Sequence, residues 1–394
     1  MTLVQAQRIA ALQGDEAVAE AVRQCDVDVV AAYPITPQTI IVEKLAEYVA
    51  DGRLRGEFVP VESEHSALSA CVGASVTGAR VFTATSSQGL AYMHEMLYNV
   101  SGMRLPIVMA VANRALSAPL VLNADHSDMM GSRDSGWIQL YAENVEEIYD
   151  RTIQLFKLCE DPRVMLPAAL NFEGFILSHD KERVRLLEDE PIRRFLERPR
   201  PKHRLDPDEP LTFGAIATPD TYYEFRMQQT EAMKATLRVF DEVEMDFESF
   251  SGRRYGALDA YNTDKADVVM VINGSAAGTM RAAAKELNTA GENVGVLAVK
   301  LYRPFPAEQI VSHLAQAKAV ITMDRSISPG APSGPISEDV KSAMQLAGLS
   351  VPVLSVVYGI GGRDLSTEDG KNIFGLAKEG SSFGSSTLMY GVKV

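Results

Sequence analysis

Ala31-Ala32-Tyr33-Pro34-Ile35-Thr36-Pro37 closes an apolar run that starts at Val29 and breaks it with two prolines. Pro34 and Pro37 each fix a φ angle, offer no N–H, and push Tyr33 and Thr36 towards extended backbone. A strand that ends this way delivers a stiff loop to the C-terminal edge of a sheet, where open α/β sheets bind ligands. Alone, the loop reads equally well as a rigid strand-to-helix turn with no chemistry. Two further segments, Val61-Glu62-Ser63-Glu64-His65 and Ala112-Asn113-Arg114-Ala115, have to be read beside it.

Outward from the loop the chain alternates helix and strand. Residues 14–23 read as a helix with Asp15 and Glu16 near its positive end, and 26–32 as a short buried parallel strand. Helical periodicity covers 39–49, followed by a strand at 57–62 and an alanine- and glycine-rich helix from Ser63 to about Gly78. A strand at 81–84 leads into the polar turn Thr85-Ser86-Ser87-Gln88-Gly89, a helix at 90–101 and a strand at 106–112. Residues 138–140, 145–159 and 164–171 continue the alternation, giving an α/β fold with a mostly parallel sheet. From about 180 to 210 the sequence is charged and proline-bearing with few core positions, which predicts an extended surface arm. A second α/β unit follows, from the strand at 267–273 to the one at 351–358. The expected organisation is a first domain over 1–235, a connecting segment over 236–264 and a second domain over 265–394.

Composition removes several function classes. With 394 residues and a net charge of −14, the chain lacks the basic footprint of a nucleic-acid binder. No apolar run approaches the ~20 residues that span a bilayer. The first residues lack a secretory pattern, so a cytoplasmic, membrane-free protein is expected. Cys25, Cys71 and Cys159 lie far apart with no CxxC pair, which excludes a disulfide framework and a locally bound iron–sulfur cluster. Each reads as a small buried apolar residue.

Four strand ends carry special residues: 33–37, 62–65, 85–89 and 113–114. Parallel strands place such ends along one edge, so the four converge on one cleft. Glu64 at a strand-to-helix junction suits proton chemistry when desolvated, although Ser63 with Glu62 or Glu64 also reads as an ordinary helix cap. Arg114 after an apolar strand binds a carboxylate or forms a structural ion pair. Asp125-His126-Ser127-Asp128 reads as a hydrogen-bonded loop, since one His and two Asp at this spacing are a weak metal signal. His94 and His179 read as structural. Gly359-Ile360-Gly361-Gly362 lacks dinucleotide-binding spacing. A GxxxxGK(S/T) loop, a GxSxG elbow and an HExxH helix are absent from the sequence, as is a GDG followed some thirty residues later by paired Asn.

Taken in order, YPITPQT, VESEHSALSACVGASVTGAR, FTATSSQGL, LPIVMAVANRALSAP and DHSD…RDSGWIQLYAEN resemble the α subunit of the 2-oxoacid:ferredoxin oxidoreductases, most closely the pyruvate enzymes. The resemblance covers most of 14–180 and resumes at LYRPFP, ITMDRSISPGAP and VVYGIGGRD. It implies a pyrimidine-type thiamine-diphosphate-binding domain followed by a transketolase C-terminal-like domain. It also implies oxidative decarboxylation of a 2-oxoacid, with coenzyme A as acyl acceptor and ferredoxin as electron acceptor, in an anaerobic host. The diphosphate, Mg²⁺ and nearest 4Fe-4S cluster then belong to a β subunit, and further clusters to γ/δ-type subunits, in a dimer of heteromers. No metal is expected on this chain.

By motif position, Glu64 resembles the carboxylate that hydrogen-bonds the aminopyrimidine ring and favours its imino tautomer. Thr36 and Arg114 resemble the pair that holds the 2-oxoacid, while Tyr33, Pro34, Ile35, Thr85, Ser86 and Gln88 fall in the pyrimidine pocket. Pyruvate is the expected substrate, with branched-chain 2-oxoacids and 2-oxoglutarate as alternatives. A non-catalytic scaffold is the reading from a different class. An oxalate-specific relative fits less well, because Thr36 is retained and no extra cation accompanies the proline-rich loop.

Overall fold

The computed structural model describes residues 7–198, 201–380 and 387–393. Its strands are β1 (Arg8–Gln13), β2 (Val29–Ala32), β3 (Glu57–Pro60), β4 (Val81–Thr85), β5 (Val108–Asn113), β6 (Ile138–Tyr141), β7 (Ala168–Glu173) and β8 (Lys181–Leu186) in the first part of the chain. The second part adds β9 (Leu258–Tyr261), β10 (Val268–Ile272), β11 (Val294–Val299), β12 (Leu301–Arg303), β13 (Ala319–Asp324), β14 (Val353–Val357) and β15 (Leu388–Met389).

The first sheet runs β12-β6-β7-β5-β4-β2-β3 and is parallel except at β12. Every residue of β4, β5 and β7 is buried, so these strands are mostly apolar without a polar alternation: both faces are covered, and their few polar residues, such as Thr83, Asn171 and Glu173, are buried too. Core side chains such as Val30, Phe82, Phe156 and Phe172 fill one face, while Leu68, Cys71, Leu97, Met109 and Trp137 fill the other. The helix Glu64–Ser75 presents Ala67, Leu68 and Cys71 to the sheet, and these small residues seat it closely on β2 and β4. The second sheet runs β15-β14-β13-β10-β11-β9, parallel except at β9. Cys25, Cys71 and Cys159 are all buried, as free thiols.

The structure departs from the sequence-based expectations in places. The charged stretch from 180 to 210 is not an arm throughout. β8 pairs residue by residue with β1, and Val184, Leu186, Leu187, Ile192, Phe195 and Leu196 enter the main core. Its charges alternate with these apolar positions and face outward, so composition averages to "exposed" while every second or third residue is core. Only 201–218 stays irregular and largely exposed, and Pro199 and Arg200 lie outside the described residues.

The segment 236–264 is structured at both ends. A 33-residue helix, Pro219–Ser251, carries Thr236, Val239, Phe240, Val243 and Phe247 into the first core, spacing that lines one helical face. Residues 258–261 already belong to the second sheet as β9. The second unit in turn lends β12, the start of the LYRPFP motif, to the edge of the first sheet. Nor is 90–101 one helix: it divides into Ser87–Tyr92 and His94–Gly102.

Buried charge joins the two units. Glu173 at the end of β7 meets His126 at 3.1 Å and Arg325 at 3.6 Å, and accepts the backbone N–H of Ser275 at 3.1 Å. Asp125 accepts the N–H of Gly361 at 3.2 Å. Gly359, Gly361 and Gly362 all have left-handed φ, and a Cβ at Gly362 would collide with Asn123, so the GIGG cluster is a close-packing loop. Lys300 reaches Glu143 at 2.9 Å and Glu147 at 2.7 Å, and Arg253 forms a bidentate pair with Asp150 at 2.6 and 2.7 Å. These pairs fix how the long helix and the second unit sit against the helix Val145–Glu160.

Candidate active site at the strand ends

β5, β4, β2 and β3 are consecutive neighbours in the sheet, so their C-terminal loops stand side by side on one edge. Each loop brings its side chain by a different local device.

The loop after β2 is closed from within. The Gln38 N–H donates to Ile35 O at 2.9 Å, and the fully buried Gln38 amide donates to Tyr33 O at 2.8 Å. Pro37 packs where a Cβ on Gly174 would stand, which ties the loop to the end of β7. Tyr33, Pro34 and Thr36 are exposed and Ile35 is half-buried.

After β3, capping and chemistry are divided among three residues. Ser63 caps the helix by accepting from the Ser66 N–H at 3.2 Å, and exposed Glu62 takes the Ser66 hydroxyl at 2.6 Å. Glu64, the first helical residue, is 8% exposed and turns into the sheet edge. The two readings of this segment are therefore compatible.

After β4, Thr85 and Ser86 are fully buried, and among the described residues neither Thr85 Oγ1 nor Ser86 Oγ has a protein partner. Ser87 adopts φ +45°, Gln88 is half-buried, and Gly89 is the residue that leaves room. A Cβ at Gly89 would lie 2.6 Å from Thr85 Oγ1 and 2.8 Å from both Glu64 Cγ and Glu64 Oε1. Glu64 and Thr85 thus close on the same backbone position.

After β5, the Arg114 guanidinium donates to Thr36 O at 2.6 Å and to Gln88 Oε1 at 2.9 Å, while its buried Nε has no partner. Burial lowers the Arg114 pKa, and the charges of Asp128 and Glu64 oppose that shift; an arginine remains protonated regardless. Among the described residues two of its five N–H donors are engaged, both with neutral oxygens, and no carboxylate pairs with the cation directly.

The structure therefore gathers Thr36, Glu64, Thr85, Ser86, Gln88 and Arg114 along one edge. It brings the Arg114 guanidinium onto the Thr36 carbonyl, a contact that leaves the Thr36 hydroxyl free. Two residues escaped the sequence reading. Gly89 closes the 85–89 turn without being singled out there, and its role shows only when Glu64 is seen against it. Asp128 stood in a loop read simply as hydrogen-bonded, and it is: fully buried, it accepts four N–H groups. Burial raises the Asp128 pKa and those donors oppose the rise. His94 contacts the Ser132 hydroxyl and His179 the Ser178 hydroxyl, as structural residues do.

Two cavities of about 580 and 660 Å³ lie away from this edge. One is under the first half of the helix Pro219–Ser251, and the other is at the opposite end of the sheet beside Asp28, Arg80 and Pro106. The strand-end site has exposed Thr36 on one side and buried Glu64 and Arg114 on the other, which is the form of one wall.

The residues present fit an aminopyrimidine ring. A buried carboxylate offers an acceptor or holds a proton for a ring nitrogen, and the Thr85 hydroxyl that closes on the same position lacks, among the described residues, the partner that a buried group requires. Gly89 keeps the backbone low where the carboxylate turns in.

Comparison with known proteins bears on the same regions. Residues 20–245 match the thiamine-diphosphate-binding domain of pyruvate flavodoxin/ferredoxin oxidoreductase, and 266–369 match core domain II of pyruvate:ferredoxin oxidoreductase. The chain is 47% identical over 385 residues to pyruvate synthase subunit PorA of Methanocaldococcus jannaschii, covering 97% of each. It is 48% identical over 365 residues to the PorA of Thermotoga maritima, covering 92% of this chain and 93% of that one. Ketoisovalerate oxidoreductase subunit VorA of Pyrococcus abyssi is 43% identical over 92% of this chain and 91% of its own length. Among solved structures, 2-oxoglutarate:ferredoxin oxidoreductase from Magnetococcus marinus superposes with a TM-score of 0.72 at 20% identity. That match covers 93% of this chain and 65% of the other, and shows the shared fold.

Proposed function

The chain belongs to the pyruvate:ferredoxin oxidoreductase family, and from that premise we propose that it is the α subunit of a heteromeric pyruvate synthase. The complex oxidises pyruvate with coenzyme A to acetyl-CoA and CO₂, passes two electrons to ferredoxin, and runs reversibly. The observation that carries this reading is the placement of Glu64, buried against Gly89 with a Thr85 hydroxyl that has no partner among the described residues, one loop away from a guanidinium with free donors.

Thiamine diphosphate, when bound, supplies a thiazolium carbon that adds to the 2-oxo group and stabilises the charge left when CO₂ departs. The chain's own contribution is positional and protonic. The Glu64 carboxylate holds a proton at the pyrimidine nitrogen it faces, and a desolvated acid at that position biases the ring tautomer. Thr85 and Ser86 line the same pocket with Tyr33, Pro34, Ile35 and Gln88. Arg114 holds the substrate carboxylate through its free N–H donors, and the Thr36 hydroxyl faces the substrate oxygens. Because the carboxylate leaves as CO₂, Arg114 acts by orientation.

The remaining parts are assigned to other chains. The sequence has no diphosphate motif, and its three thiols are buried and dispersed. Following the division of labour that the family resemblance implies, Mg²⁺ and the nearest 4Fe-4S cluster are proposed for a β subunit and further clusters for γ/δ-type subunits, in a cytoplasmic dimer of heteromers. Among the described residues no helix is long and apolar enough to cross a membrane.

The test is the assembled complex carrying Glu64→Ala, assayed by pyruvate-dependent viologen reduction. Activity must collapse; full retention would refute the catalytic reading and leave a scaffold role. A panel of pyruvate, 2-oxoisovalerate and 2-oxoglutarate assigns the substrate. Preference for 2-oxoisovalerate would move the chain to the ketoisovalerate branch, from which identity separates it only modestly.

A further inference from the structure

Asp128 lies in the short helix Ser127–Met130 and is 3% exposed. Its Oδ2 accepts the backbone N–H of Ser87 and that of Arg114, each at 3.0 Å. Its Oδ1 accepts Asn113 Nδ2 and the backbone N–H of Met129, each at 2.8 Å. One carboxylate thus bridges the loops that follow β4 and β5, the two that carry Gln88 and Arg114.

The bridge acts on Arg114 twice. It fixes the start of the side chain directly through the Arg114 N–H. It also fixes the far end through Ser87, which is held at φ +45°, a conformation that a residue with a Cβ adopts only when its surroundings impose it. The imposing contacts are the bond to Asp128 and the Ser87 hydroxyl donating to Ala115 O at 2.7 Å. This backbone aims Gln88, whose Oε1 takes Arg114 Nη2 at 2.9 Å.

We propose that Asp128 is the positioning residue that sets the pose of the Arg114 guanidinium towards the carboxylate of the 2-oxoacid. The inference rests on the reading of Arg114 given above. Asp128 touches neither substrate nor cofactor; it works through Arg114 and Gln88. Asp128→Asn keeps the size but turns one oxygen into an N–H donor. Because each oxygen faces two donors, either amide orientation sets donor against donor.

The test uses the assembled complex with Asp128→Asn, Arg114→Gln and the double variant. Three quantities are measured: the affinity for oxamate, an unreactive isostere of pyruvate, by calorimetry; KM and kcat for pyruvate; and the affinity for thiamine diphosphate. Asp128→Asn is expected to weaken oxamate and raise KM roughly tenfold, the effect of losing one charge-assisted hydrogen bond. Thiamine diphosphate affinity should stay within about twofold, and the double variant should be no worse than Arg114→Gln alone.

An unchanged oxamate affinity in Asp128→Asn overturns the proposal. So does an equal loss of cofactor affinity, or full additivity with Arg114→Gln. If Arg114→Gln itself binds oxamate normally, the reading of Arg114 falls and this inference with it. If Arg114→Gln is impaired while Asp128→Asn is not, only the inference falls. Should Asp128→Asn fail to assemble, Gln88→Met tests the same linkage from its other end. A several-fold loss of oxamate affinity, non-additive with Arg114→Gln, supports the proposal, and no loss overturns it.

Discussion

Gly89→Ala should disable this subunit without unfolding it. Gly89 lies inside the helix Ser87–Tyr92 and has no left-handed φ, so alanine is conformationally acceptable and gains about 1 kcal/mol of helix propensity. The added methyl has nowhere to go. It meets Thr85 Oγ1 at 2.6 Å and Glu64 Oε1 at 2.8 Å, whereas ordinary contact begins at 3.4 Å, so these groups must retreat by about 0.6–0.8 Å. A hydrogen bond stretched by that amount is largely lost. A charge-assisted bond contributes about 1.5–3 kcal/mol, so the loss is roughly 10- to 150-fold. Overpacking costs about 1–3 kcal/mol, which the propensity gain partly offsets. The assay is pyruvate-dependent viologen reduction by the assembled complex at saturating thiamine diphosphate, with a cofactor titration and a thermal melt alongside. A complex that assembles and melts normally but has lost activity in this range supports the reasoning. Wild-type turnover and cofactor affinity, with Glu64 unmoved in a crystal structure, would refute it.

Two further outcomes concern stability. Burial pushes the Asp324 carboxyl from 3.8 up to about 7, against the N–H groups of Ile336 and Ser337 that it accepts. The folded state then keeps a proton that the unfolded chain releases, so stability falls as pH rises from about 4 to about 7 and levels off above, by at most roughly 4 kcal/mol. Asp324→Asn should flatten this dependence of the melting temperature; an unchanged slope would show that Asp324 is ionised throughout. Arg253→Met leaves Asp150 buried without its bidentate partner and should cost about 3–5 kcal/mol, read as a lower unfolding temperature, whereas a melt like wild type would contradict it.

Much of the fold was legible because buried parallel strands write themselves as short apolar runs. Val108 to Asn113 and Ala319 to Asp324 need no tertiary information to be recognised. The segment 181–196 was misread because its core residues are few and embedded in charge. Their burial depends on β1, more than 160 positions away, accepting β8 as a partner. The packing of 219–251 is hidden for a related reason: the face of the helix Pro219–Ser251 that carries Phe240 and Phe247 has meaning only against the first core. At the site, Thr36, Glu64 and Arg114 were visible as special residues at strand ends. What joins them was not. The contacts of Asp128 with Ser87 and Arg114, and the space that Gly89 yields to Glu64, are relations between loops that no local pattern encodes.

The central claim is that Glu64 holds a proton at the pyrimidine of a bound cofactor in a half-site completed by a partner subunit. It is tested most directly by hydrogen–deuterium exchange at the thiazolium C2 of thiamine diphosphate bound to the assembled complex, comparing wild type with Glu64→Gln. The account predicts fast exchange in the wild type and exchange slower by about 10²-fold or more in the variant, with cofactor still bound. Equal exchange rates in the two complexes would contradict it.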